Sequence, residues 1–302
     1  TLPEFPATRK PKILMDRKDL LSFYAPEIVQ PQQNNQLRNN PAMDQIGLLK
    51  IIRNRNNDVK VLADISQPTV YTHIREVQIG INIYTQLTYE FWYSEHPEML
   101  ENDKEAGLLD GRFLTITLDE SNQPIIYETA MNCGCFYEIY VTDRISKEAF
   151  SQLSHTTLPT TFREKPVSGI LPSHGKLCIL MNAGFHTVTK LDKTIDSNII
   201  KKARKQIYNL ENAEAVELIH FEDGYASVYN NNGLIKGGGR PESYLLWMSY
   251  PENYYAGWNR HQSQRRYGLD PSTDGFHNPF WIQSVFLEES SSFGIGLGFS
   301  QK

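Results

Sequence analysis

Cys133 and Cys135 flank Gly134 in the run Tyr127-Glu128-Thr129-Ala130-Met131-Asn132-Cys133-Gly134-Cys135-Phe136-Tyr137, and no other spacing in the chain so readily suggests chemistry. On a regular strand, residues two apart face the same side but stand roughly 6–7 Å apart, too far for their sulfurs to share a small ion. Gly134 permits a bend that would bring them together. A bent pair could offer two thiolates to copper or zinc, or close a strained disulfide. The same two residues could also be small buried hydrophobes at a bulge. The C-x-x-C knuckle of common zinc sites is absent.

A metal site needs further ligands, and two of the eight histidines have informative surroundings. His186 ends Asn182-Ala183-Gly184-Phe185-His186 in a stretch expected to be a strand, and His261 ends Trp258-Asn259-Arg260-His261. Imidazole suits zinc, copper and iron, so either ring could complete a Cys133/Cys135 site. Each could equally be a histidine hydrogen-bonded in the core or at the surface. His73, His220 and His277 have weaker contexts. A second reading makes Cys133 or Cys135 a nucleophile with His186 as its base, although no Cys-bearing helix N-terminus is suggested to lower the thiol pKa.

Two other groups carry charge. Asp103-Lys104-Glu105 with Asp110 could be imagined as paired carboxylates for glycoside hydrolysis, but charges beside a hairpin are expected to be solvated. Arg260, Arg265 and Arg266 with Trp258 form a basic, aromatic cluster able to hold a phosphate, a carboxylate or a sugar, or to make surface ion pairs. Gly237-Gly238-Gly239 lacks the residues of a phosphate-binding loop, so no nucleotide cofactor is expected.

The elements that must position these residues are mostly strands. Residues 1–45, rich in Pro, Asn and Gln, read as an extended arm, and 46–302 as a single β-rich globular domain. Asp44 sits in capping position before Ile46, Leu48, Leu49, Ile51 and Ile52, a spacing that predicts one short helix. Strict alternation from Ile81 to Tyr93 predicts a strand, paired with Pro68–Ile74 through a turn at Gly80. Residues 113–118 and 125–129 predict a second hairpin, whose return strand leads to Cys133, and Phe136–Val141 a further strand. Residues 146–153 read as helical turns, 155–173 as a loop, 176–191 as one long β run and 198–210 as a helix. Val216–Glu222 and Tyr225–Tyr229 flank the Asp223-Gly224 turn of a third hairpin. The expected fold class is therefore α+β, strand-dominated, with antiparallel sheets built from hairpins and a few short helices.

Composition narrows the function classes. In 302 residues, 14 Phe, 16 Tyr and 4 Trp supply enough apolar surface to fold without disulfide or metal staples. A net charge of −5 with interspersed signs argues against nucleic-acid binding. Apolar runs such as Leu177–Met181 are far shorter than the roughly 20 residues of a membrane-spanning helix. Three cysteines are too few for a disulfide scaffold.

The 127–137 run, the upstream Pro68-Thr69-Val70-Tyr71, and the later Arg260-His261 and His277-Asn278-Pro279 together resemble an uncharacterised family of exported or lipid-anchored proteobacterial proteins. That family carries a Cys-Gly-Cys-aromatic motif and a late Arg-His. Its members often place a histidine two residues before the first cysteine, where this chain has Met131; if that histidine is a ligand in the family, either Met131 replaces it as a soft ligand, which would suit copper, or the site is altered here. The resemblance implies an envelope location but no activity; the partner stays unknown, an envelope component being one candidate. The leading expectation is an exported, periplasmic or envelope-associated protein with a copper or zinc site at Cys133, Cys135, His186 and His261, serving redox or binding. A non-catalytic structural or interaction module and a thiol-dependent hydrolase are the alternatives, which leaves enzymatic activity open.

Overall fold

In this computed structural model the described residues are 17–31, 42–79, 82–99, 101, 103, 106–131, 138–144, 169–193, 204–228 and 235–236. Helix α1 (Arg17–Tyr24) leads into strand β1 (Glu27–Gln30), so helix and strand stand where an extended arm is expected. There follow β2 (Leu48–Arg53), β3 (Val59–Asp64), β4 (Thr69–Ile79), β5 (Asn82–His96), β6 (Gly107–Leu118), β7 (Pro124–Met131) and β8 (Glu138–Thr142). The remaining strands are β9 (Gly169–Leu171), β10 (Cys178–Met181), β11 (Val188–Asp192), β12 (Arg204–Lys205), β13 (Asn209–Asn212), β14 (Ile219–Phe221) and β15 (Gly224–Ala226), with one 3-10 turn at Ala213–Glu217. The fold is strand-dominated and mainly antiparallel, as the sequence predicts.

Alternation explains how the sheets stack. The seven-stranded sheet runs β13-β4-β5-β6-β7-β8-β9, and on one of its faces Val70, Leu87, Tyr89, Phe91, Leu114, Ile116 and Tyr127 are all buried. These side chains share a core with Leu20 of α1 and with Ile28, Ile179, Met181 and Leu191 of the four-stranded sheet β11-β10-β1-β12. Intervening residues of the same strands, Tyr71 and Trp92, face the other way and pack with Leu49, Ile51, Val61 and Ala63 of the β2–β3 hairpin. Each large apolar side chain so buried contributes about 1.5–3 kcal/mol.

Several sequence expectations change. Residues 48–53 are a strand rather than a helix: their apolar spacing also fits period two, and pairing with β3 buries Leu49 and Ile51. The expected helix over 198–210 is extended from Arg204 onward, in β12 and β13, because these short strands extend the edges of two sheets. The β run over 176–191 is a hairpin, β10 and β11, and Gly169–Leu171 within the expected loop is a strand paired in parallel with β8. The turn at Gly80 and the helical turns over 146–153 lie outside the described residues.

Gly47 joins the 42–46 turn to β2, and its N–H donates to the Trp92 carbonyl at 2.9 Å. A Cβ there would lie 2.6 Å from the carbonyl carbon of Asp64, a backbone atom that cannot swing away. Gly47→Ala is therefore expected to destabilise the protein by about 1–3 kcal/mol, measured by denaturant unfolding. Unchanged stability would contradict this packing.

Candidate metal centre

The apolar row of β6 turns polar at one end of the strand. Ile116 and Leu114 are followed on the same face by Arg112 and Asp110, and the last two are only 1% and 0% exposed. Asp110 pairs in register with Tyr93 of β5. Next to it Leu109 adopts φ 62°, an interruption of the pleat, and three residues beyond Tyr93 lies His96, also buried. The third contributor arrives from the turn between β10 and β11. Gly184 at φ 75° and His186 at φ 49° coil this turn tightly, with the His186 N–H donating to the Asn182 carbonyl at 3.1 Å. Histidine tolerates this left-handed conformation better than most residues.

These elements converge on one carboxylate oxygen. Asp110 Oδ2 lies 3.1 Å from His96 Nδ1 and 2.9 Å from His186 Nδ1. The far nitrogens face two more acids: His186 Nε2 is 3.4 Å from Asp44 Oδ1, and His96 Nε2 is 3.8 Å from Asp103 Oδ2. Neither Nε2 makes a hydrogen bond of good geometry. Acids and imidazoles thus alternate in the order Asp44, His186, Asp110, His96, Asp103.

The surroundings hold this chain in place. Tyr93 stacks on the His186 ring, with centroids 3.8 Å apart and planes 4° from parallel, and its hydroxyl donates to Gln30 Oε1 at 2.8 Å. Gln30 Nε2 reaches Asp44 Oδ1 at 3.3 Å, and the Gly184 N–H donates to the same oxygen at 2.8 Å. Arg112 donates through Nε to the His186 carbonyl at 3.0 Å and through Nη1 to Thr129 Oγ1 at 3.3 Å. Asp103 accepts from the Met99 N–H at 3.0 Å.

His96, Asp110 and His186 fit a metal ion: one ring nitrogen from each histidine and one carboxylate oxygen can be chosen with all three within 4.8 Å of one another. Neighbouring ligands around an ion with bonds of about 2.1 Å stand roughly 3.0 Å apart in octahedral and 3.4 Å in tetrahedral geometry. The two nitrogen–oxygen distances of 2.9 and 3.1 Å match the former more closely. Two imidazoles and a carboxylate are a donor set for zinc, iron(II), manganese(II) or copper(II). Without an ion, both Nδ1–H groups would donate to Asp110.

His186 is the one sequence-predicted ligand found here, in a turn rather than the expected strand. Cys133, Cys135, His261, Arg260, Arg265, Arg266 and Trp258 lie outside the described residues, as does His277. His73 sits in the β4–β5 ladder opposite Thr88, and exposed His220 packs edge-on against Tyr225. Asp103 and Asp110 are not solvated charges, since their side chains are 8% and 0% exposed. Asp44 caps no helix but receives the Gly184 N–H. Cys178 is buried, and burial followed by the charge of Glu27 pushes its thiol up to about 11, which makes it a poor nucleophile.

Burial alone would lower the His186 pKa, but the hydrogen bond to Asp110 and the charges of Asp110 and Asp44 outweigh it and raise the value above the ordinary 6.5 or so. A raised histidine pKa contributes stability that is complete below the unfolded value and is lost as pH rises through the folded one. Chelator-treated protein is therefore expected to melt at a lower temperature as pH is raised from about 6 through the folded pKa of His186. His186→Gln should flatten that dependence, measured by calorimetry, and an identical slope in the variant would contradict the assignment.

Among the described residues no helix is long and apolar enough to cross a membrane. No protein-family description and no characterised protein matches the chain. Among solved structures it is similar to NLPPya in complex with mannosamine, at 12% identity over 76% of this chain and 91% of that one, with a TM-score of 0.33, which carries no argument for function.

Proposed function

We propose that this chain is a metal-binding protein in which His96, Asp110 and His186 hold one divalent transition-metal ion, and that the ion clamps the two main sheets together. The observation that carries the reading is two imidazole nitrogens directed at a single buried carboxylate oxygen. The ligands come from β5, from β6 and from the turn of the β10–β11 hairpin, so a bound ion would cross-link the seven-stranded sheet to the four-stranded one. Their burial favours a resident ion over one that exchanges with a soluble substrate. Bound there, the ion would supply positive charge to offset Asp110 in a low-dielectric interior.

Cys133 and Cys135 remain proposed as additional ligands. Met131 ends β7 opposite Arg112, two residues from Asp110, and Cys133 follows Met131 by two positions in the sequence. The likeness of the 127–137 run to exported proteobacterial proteins supports an envelope location. A second reading, a non-catalytic module stapled by hydrogen bonds alone, draws on the ability of Asp110 to accept from both Nδ1–H groups.

Elemental analysis of untagged protein decides between them. About one equivalent of a transition metal is expected, falling at least tenfold in Asp110→Ala and His186→Ala. Its removal should lower the melting temperature. Metal retained in both variants, or none in the unmodified protein, would overturn the reading. Loss of metal in Cys133→Ser as well would add the sulfur to the ligand set.

A further inference from the structure

We propose that Asp44 is the positioning carboxylate of His186, which makes β1 and the 42–47 segment part of the metal's outer shell; this rests on the metal reading above. An imidazole bound through Nδ1 has its proton on Nε2, and that N–H needs an acceptor to fix the ring's orientation and raise the basicity of the ligating nitrogen. The acceptor facing His186 Nε2 is Asp44 Oδ1, 3.4 Å away, with side-chain exposures of 1% and 0%.

Asp44 is itself held from several directions. Its Oδ1 receives the Gly184 N–H at 2.8 Å, two residues before the histidine it faces, and Gln30 Nε2 at 3.3 Å. Its main-chain carbonyl receives Gln206 Nε2 at 2.7 Å. Gln30 is oriented by the Tyr93 hydroxyl, and the Tyr93 ring lies flat on His186. The contacts therefore close a ring: imidazole to carboxylate, carboxylate to amide, amide to phenol, phenol back to imidazole. Gly184 completes the fit, because a Cβ there would stand 2.5 Å from Met99 Sδ in a backbone conformation of φ 75° that side chains rarely adopt.

A ring of this kind controls two of the imidazole's freedoms. The Tyr93 face fixes its plane, and Asp44 fixes its rotation and its tautomer. An asparagine at position 44 would keep an oxygen for the Gly184 and Gln30 donors but would lose the charge that makes Nε2–H the preferred tautomer. The role of Asp44 can thus be separated from its contribution to packing.

The test titrates zinc into full-length, chelator-dialysed wild type and Asp44→Asn, follows affinity by calorimetry, and records the imidazole nitrogen resonances of His186 in the zinc-loaded wild type. The expected result is a 10–100-fold loss of zinc affinity in Asp44→Asn. Metal-free melting should differ little at a pH above the folded pKa of His186, where the charge of Asp44 no longer has an imidazolium to stabilise, and wild-type His186 should carry its proton on Nε2. Equal zinc affinity in the two proteins, or a bare Nε2 in zinc-loaded wild type, overturns the role of Asp44 and leaves the metal reading standing. If Asp44→Asn melts early without metal and refolds poorly, Gln30→Ala and Tyr93→Phe provide the second measurement. Both loosen Asp44 through Gln30 while keeping every ligating atom, and Tyr93→Phe keeps the ring that stacks on His186, so unchanged zinc affinity in both would overturn the proposal. Failure of wild type to take up zinc or manganese removes the metal reading and this inference together.

Discussion

A carboxylate buried beside two imidazoles cannot be left uncompensated, and the surrounding structure is arranged around that constraint. Moving an ionised acid from water into a protein interior costs several kcal/mol unless hydrogen bonds or an opposite charge offset it. Asp110 is fully buried and has two ring nitrogens at hydrogen-bond distance. A divalent ion satisfies the same oxygen with more charge. The choice between protons and a metal is then an equilibrium, and pH and metal supply set its position.

The fold builds this environment at the end of a sheet rather than in a loop. Alternation carries apolar residues inward along β5 and β6 until the last inward positions become Tyr93, Arg112 and Asp110. The small sheet covers that end and brings the β10–β11 turn, with His186, against it. The site therefore depends on the packing of Ile28, Ile179 and Met181 against Phe91 and Leu114 as much as on its own polar contacts. Tyr93 joins the two, since its ring belongs to the apolar core and also stacks on His186.

Much of the sheet could be read from the sequence, because period-two alternation in β5, β6 and β7 has one physical meaning. The 48–53 and 198–210 segments misled because their apolar spacing fits both a helix and a strand. Sheet pairing settled the first, and for residues 204–205 and 209–210 of the second it did the same. Of the site, only His186 was singled out. His96 escaped because simple alternation sends it to the opposite face from Tyr93, and the positive φ at Leu109 that accompanies the change has no clear residue signature. Asp110 reads in the sequence as a solvated charge beside a hairpin or as one of paired carboxylates for glycoside hydrolysis, since the start of β6 at Gly107 follows from pairing with His96 and not from local composition. Asp44, 66 residues before Asp110 in the sequence, meets the site only through the tertiary fold.

The most direct test of a metal held by this cluster is anomalous scattering from crystals of the untagged protein, collected on both sides of the relevant absorption edge. One peak is expected about 2.0–2.3 Å from each of His96 Nδ1, Asp110 Oδ2 and His186 Nδ1. A metal peak remote from Asp110, or no peak with both imidazoles still hydrogen-bonded to its carboxylate, would contradict it.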